Sequence, residues 1–186
     1  MRLARVWFLW GIFAASGCGG EAVSPRRPLP SYAGHAKNEL FDDAIEARAV
    51  GLELERPPLS PRRDPLLRER TQTGDAVLRV RIDTVTARDD GVNERYDLGL
   101  RVLDKLAGAE DVPVEFTVQI DNNSPSLGIV RSFRGRLGGK VFIAFVREFA
   151  RPDGDPETHF HLAEDGKAVE LAVREAATSA GSPAPK

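Results

Sequence analysis

Residues 112–121 read VPVEFTVQID, and they set the frame for the rest of the chain. Val112, Val114, Phe116, Val118 and Ile120 alternate with Pro113, Glu115, Thr117, Gln119 and Asp121. That period of two puts apolar side chains on one face of a strand and polar ones on the other. The same period occurs upstream. Leu78, Val80 and Ile82 alternate with arginines and Asp83, and Val85 then falls out of phase, which predicts a strand with a bulge or bend near Asp83 and Thr84. After the turn residues RDDGVN at 88–93, Tyr96, Leu98, Leu100 and Val102 alternate again, so these two strands are expected to pair as a hairpin. Downstream, KVFIAFVREF at 140–149 is a continuous apolar run, the mark of a strand covered on both faces. THFHL at 158–162 predicts a fifth strand.

Helical spacing flanks this region. In HAKNELFDDAIEARAVG at 35–51, Ala36, Leu40, Phe41, Ala44 and Ile45 recur three and four residues apart, which predicts an amphipathic helix ending near Gly51. Asp64 followed by Pro65 reads as an N-cap and first helical position, with Gly74 closing a short helix. At the other end Val169, Ala172, Val173 and Ala176 predict a helix that Asp165 caps.

Five strands with a long insert, NNSPSLGIVRSFRGRLGG at 122–139, between the third and fourth resemble an OB-fold or netrin-like barrel. The resemblance rests on strand order over residues 75–162, and it implies a helix in the insert that closes the barrel bottom. The expected fold class is α+β: a five-stranded, mainly antiparallel OB-like barrel or curved sheet with flanking N- and C-terminal helices.

At the N-terminus, MRLARVWFLWGIFAASGCGGE places Arg2 and Arg5 before an apolar run from Val6 to Ala15. This is the layout of a secretory signal, and the run falls short of the about 20 apolar residues a spanning helix needs. The stretch Ala15, Ser16, Gly17, Cys18 resembles a bacterial lipoprotein signal, departing from it at Ala15, where that family usually has leucine. The resemblance implies cleavage before Cys18, lipidation of that residue, and attachment to the outer membrane of a bacterial cell envelope. Cys18 is the chain's single cysteine, so no disulfide forms within the chain. ELFDDAIEARAVG, DPLLRER, SPSLGIV and FVREFARPDGD further resemble uncharacterised envelope lipoproteins of myxobacterial type, a family that implies a location and no activity. The expected organisation is a signal at 1–17, a disordered tether at 18–31 rich in proline and glycine, one globular β-rich domain at 32–177, and a disordered tail at 178–186. Loss of residues 1–17 removes Arg2 and Arg5 and moves the formal charge from −2 to −4. An exported, net-acidic chain gives no electrostatic reason to expect a nucleic-acid partner. The expected partners are the membrane, through Cys18, and an envelope protein.

Little in the chain looks like catalytic machinery. No G-x-S-x-G elbow occurs, and Ser124 and Ser126 read as turn residues around Pro125. RGRLGGK at 134–140 fails the phosphate-loop pattern, because Arg134 stands at the first glycine and Val141 follows the lysine. Asp42 and Asp43, adjacent on the expected helix, read as a solvated face. The remaining candidate is RPDGDPETHFH, where Asp153, Asp155, Glu157, His159 and His161 fall on every second residue. An EF-hand reading fails, since Thr158 stands where a glycine is needed. A polar loop entering an amphipathic strand, with both histidines exposed, explains the ladder without a cofactor. The functional expectation is a non-catalytic binding or structural module. The competing reading is a metal-binding protein or metal-dependent hydrolase using His159 and His161.

Overall fold

The computed structural model describes residues 28–52, 59–89, 91, 93–108 and 111–180. The expected signal at 1–17, Cys18, most of the expected tether and residues 181–186 lie outside them. Six strands form one sheet in the order β1-β6-β5-β2-β3-β4: β1 (Ala44–Ile45), β2 (Ala76–Asp89), β3 (Glu94–Gly108), β4 (Glu115–Ile120), β5 (Val141–Ala150) and β6 (Pro156–Glu164). All neighbours are antiparallel except β1 and β6. The sheet curls into a half-barrel, and β4 approaches β6 across its open mouth. The α+β class and curved sheet are as expected, with one short strand more than the sequence suggested.

The long hairpin carries the expected irregularity. Ile82 pairs with Leu100 and Thr84 with Gly99, which leaves Asp83 as the extra residue. Its carboxylate is held by Arg81 (2.7 Å) and Arg101 (2.6 Å). Gly99 sits opposite the bulge, where a Cβ would lie 2.3 Å from the Thr84 hydroxyl and oblige that side chain to rotate away. Two further register shifts leave Leu106 and Leu103 as extra residues of β3, and such bulges add local twist and help bend the sheet. The alternation around Phe116 holds only from Glu115 onward. Val114 is 69% exposed and precedes β4, while Val118 and Ile120 are buried.

Both faces of the sheet are covered. The concave face buries Leu78, Val80, Ile82, Leu98, Leu100, Val118, Ile120, Phe142, Ala144, Phe160 and Leu162. The insert forms α2 (Leu127–Leu137), whose Val130 and Leu137 plug this core. The convex face buries Val77, Ile143, Phe145 and Phe149 under α1 (Pro65–Thr73) and α3 (Lys167–Ala180). β5 thus sends Phe142 and Ala144 one way and Ile143 and Phe145 the other, which is why its sequence is an unbroken apolar run. Asp64 caps α1 as expected, accepting from the Leu66 amide at 2.9 Å. Asp165 does not act as the expected cap. The Gly166 carbonyl accepts the first helical bond of α3, and the Asp165 carboxylate takes both Nε and a terminal nitrogen of Arg79 at 2.9 and 2.7 Å. Helix α3 also runs to Ala180, past the boundary expected at 177.

The expected helix over 36–51 is absent. Short 3-10 turns occupy His35–Lys37 and Ala47–Val50, and between them the chain runs beside β6 as an edge strand. The Asp43 amide donates to the Phe160 carbonyl and the Glu46 amide to the Leu162 carbonyl. Asp43 itself sits at φ 54°, a left-handed conformation that ends any α-helix. Phe41 and Ile45, four apart and nominally on one helical face, go to opposite faces of the sheet. Sheet pairing satisfies the backbone here, and local helical spacing loses to it.

Candidate functional site

The chain has three histidines, and two of them, His35 and His159, meet on the convex side of β6, where His161 forms a separate group. Strand alternation places His159 and His161 on that face, while Phe160 and Leu162 point into the concave core. The expectation that both histidines are exposed is overturned: each is 6% exposed. The cause is the strand at 44–45. By pairing with β6 it carries Asp42, Asp43 and Glu46 alongside the histidines, and the chain before it lays Tyr32 and His35 over them. Asp42 and Asp43 are accordingly no solvated helix face, and Asp43 is 5% exposed.

Two carboxylate–imidazole groups result. In the first, one oxygen of Asp43, Oδ2, meets His35 Nε2 at 2.8 Å and His159 Nδ1 at 2.7 Å. The other oxygen, Oδ1, accepts from the Phe160 amide at 3.0 Å. The Tyr32 ring stacks on the His159 imidazole, 3.4 Å between centroids and 9° between planes, and Phe149 closes it edge-on at 5.5 Å. Burial, followed by the charges of Asp43, Asp42, Asp121 and Glu157, pushes the Tyr32 phenol well above its ordinary range, which marks a negative field at this spot. In the second group His161 Nδ1 meets Asp42 Oδ1 at 2.9 Å, and Glu46 lies 3.5 Å from His161 Nε2. Burial raises the Glu46 carboxyl, but His161, the Glu164 amide and Arg70 outweigh that and hold it below the usual glutamate range. The Nε2 atoms of both His159 and His161 are buried without a hydrogen-bond partner.

Neighbouring elements position the carboxylates. Ser124 donates its hydroxyl to the Asp43 carbonyl at 2.8 Å, and Ser126 accepts the Ile45 amide, so both serines are spent on holding this strand. The sequence placed them in a turn, which is correct, and missed what the turn grips. Arg70, 6% exposed, donates to the carbonyls of Glu39 and Leu40 at 2.8 Å each and fixes the entry to the segment. Burial lowers the Arg70 guanidinium from its ordinary value despite the nearby Asp42 and Glu46.

The five-residue ladder divides. Asp153 and Asp155 stay in an exposed turn, where Asp153 accepts from the Asp155 amide at 3.1 Å. Gly154, at φ +92°, turns the chain and breaks the alternation there. Only Glu157, His159 and His161 belong to the strand. Glu157 pairs with Arg151 at 3.3 Å and stands 3.7 Å from His159 Nε2. Among the described residues the ligand-type atoms that converge, all within 4.8 Å of one another, are those of His35, Asp43 and His159. His161 is not one of them. His35 escaped the sequence reading because it lies in a stretch with helical spacing. Its signal was rarity, as the one further histidine in the chain.

Asp43 also borders a cleft of about 820 Å³ at the open mouth of the half-barrel. Thr117 and Gln119 of β4 form one wall, Arg151, Glu157 and Thr158 the other, and Arg88, Glu94 and Arg95 the hairpin end. Hydrogen bonds from Arg131 and then Tyr96 hold the Glu94 carboxyl below its usual range. Arg131 is thus engaged by Glu94, and Lys140 donates to the Ala49 carbonyl at 3.2 Å. No described helix is long and apolar enough to cross a membrane. No protein-family model matches the chain, and a search of curated proteins returns no match.

Proposed function

We propose that the chain is a lipid-anchored module of a bacterial cell envelope, held to the outer membrane through Cys18, whose OB-like half-barrel binds a polar ligand or an envelope partner in the cleft at its mouth. The observation that carries the binding part is the cleft itself. It lies between β4 and β6, two strands that approach without pairing, so backbone groups and side chains of both signs face one opening. The anchor rests on the signal-like leader and on a single cysteine placed at its end. A non-catalytic role agrees with Ser124 and Ser126, whose hydroxyls are committed to the backbone of 43–45.

Fractionation tests the anchor. Wild type is expected with membranes, and Cys18→Ser is expected either released or retained with its leader uncleaved. Acylation contributes about 0.8 kcal/mol per buried methylene, so the difference is large. Identical distribution and identical N-termini for the two proteins reject the lipid anchor. Capture of partners from detergent-solubilised envelopes, with wild type against a Thr117→Trp variant that fills the cleft, tests the binding surface. Equal capture by both places the partner elsewhere.

The second reading, a metal-binding protein or metal-dependent hydrolase on His159 and His161, is favoured in one respect. His159 does stand among ligand-type atoms, but in company with His35 and Asp43.

A further inference from the structure

We propose that His35, Asp43 and His159 form a binding site for a single zinc-class divalent transition-metal ion at the edge of the barrel mouth. The site goes beyond the envelope-module reading and does not depend on the lipid anchor. Three features carry it.

The donor set is chemically selective. Two imidazole nitrogens and one carboxylate oxygen suit zinc and its neighbours, whereas calcium and magnesium call for oxygen cages. The three atoms come from separate parts of the chain: a 3-10 turn, the residue that enters edge strand β1, and β6. Their convergence is a product of the fold and not of local sequence.

The geometry needs only a side-chain adjustment. Zinc bonds of about 2.1 Å in a tetrahedron put ligand atoms roughly 3.4 Å apart. Asp43 Oδ2 now lies 2.8 and 2.7 Å from the two ring nitrogens. The two ring nitrogens lie within 4.8 Å of each other, so a tetrahedral spacing asks the carboxylate to retreat by roughly 0.6 Å and the rings to adjust around it. The His35 side chain is 18% exposed and the Asp43 residue borders the cleft, so a fourth ligand would enter from the His35 side.

The unpartnered nitrogen of His159 supplies the third feature. With the proton of a neutral imidazole on Nδ1, facing Asp43, Nε2 is an acceptor buried opposite another acceptor, the Glu157 carboxylate at 3.7 Å. A metal on Nδ1 moves that proton to Nε2 and turns the clash into a donor aimed at a carboxylate. That is the carboxylate–histidine–metal arrangement in which an outer acid orients a ligating ring. Glu157 is then a positioning residue for the site.

The test is zinc titration by calorimetry of the full-length protein in detergent, after chelator treatment, together with melting curves. Wild type is expected to bind one equivalent. Its melting temperature should rise by about 5–10 °C at zinc roughly 100 times the dissociation constant. His35→Gln alters a part-exposed turn residue outside the sheet core, so it keeps the fold, and it is expected to weaken binding by about 100-fold or more. Glu157→Gln should weaken binding by about 10-fold, as loss of an outer-shell partner does. Asp153→Asn with Asp155→Asn should change nothing, and His161→Gln should retain the one-equivalent stoichiometry. Absence of stoichiometric binding to folded wild type overturns the proposal and leaves a hydrogen-bonded His–Asp–His cluster only. Equal affinity in His35→Gln and wild type, or loss of binding in the Asp153 and Asp155 variant, also overturns it.

Discussion

At the scale of the residue, burial reverses what spacing implies for the histidines. An exposed histidine replaced by glutamine shifts stability by no more than about 0.5 kcal/mol. His159 instead sits under Tyr32 and against Asp43, so His159→Gln removes a stacked ring and one of the two imidazole contacts of Asp43 Oδ2, leaving His35 as the other. Such a loss costs on the order of 1–3 kcal/mol. We expect a melting temperature several degrees below wild type in metal-free buffer, and an unchanged value would show that residues 32–43 do not cover β6. Glu46 gives a pH prediction. Its carboxyl is held below the ordinary value in the folded chain. The stabilisation it brings is therefore present above the unfolded pKa of about 4.3 and lost as pH falls through the lowered folded value. Glu46→Gln should be less stable than wild type at pH 7, with the gap narrowing towards pH 3. Asp83 and Glu94 are also depressed, so the wild-type acid slope is shared. Denaturant midpoints of the two proteins at several pH values isolate the Glu46 part, and a gap independent of pH would count against the assignment.

At the scale of the element, the decisive piece is the strand at 44–45, two residues long and held by more than its ladder. Ser126 accepts the Ile45 amide inside the protein. Ser126→Ala should destabilise by roughly 1–3 kcal/mol, the cost of stranding a buried donor, and should increase hydrogen exchange at Asp43 and Ile45 before the rest of the sheet. Uniform exchange across the sheet would mean the segment is not a separate unit. The third long strand offers a register test. Val118 is 2% exposed in the concave core and Thr117 is exposed at the cleft. Val118→Asp should unfold the domain and Thr117→Asp should be tolerated, because neighbours on a strand face opposite ways. Phe116, which is only partly buried, should fall between them. Similar melting curves for the Val118 and Thr117 variants would show the register to be wrong.

At the scale of the whole molecule, the sheet is covered on both faces, and the convex cover depends on the C-terminal helix. Val169, Ala172 and Val173 belong to the same buried cluster as Val77, Ile143 and Phe145, and α3 packs beside α1 and β3. Full burial of a large apolar side chain contributes about 1.5–3 kcal/mol, and a domain's total stability is about 5–15. A chain ended after Gly166 should therefore be insoluble or unfolded, while one ended after Ala180 should melt as wild type. Solubility and circular dichroism decide it, and a folded, soluble product of the shorter chain would mean that α3 is dispensable.

The sequence by itself determined the long hairpin with its bulge at Asp83, the doubly covered β5, the short helix capped by Asp64 and the helix after Gly166. Each of these is written in a local period or a local cap, and each element satisfies its backbone where its own residues suggest it should. The tertiary structure alone decided the path of residues 35–51 and the site that depends on it. Helical spacing in that stretch is a weak local preference of a few tenths of a kcal/mol per residue. The competing term is non-local: backbone pairing with β6, more than a hundred residues away in sequence, and two serine hydroxyls from the 124–126 turn. No window of neighbouring residues contains both partners. For that reason Asp43 reads as half of a solvated pair and His35 as the start of a stretch with helical spacing, until the edge strand forms and brings them to His159.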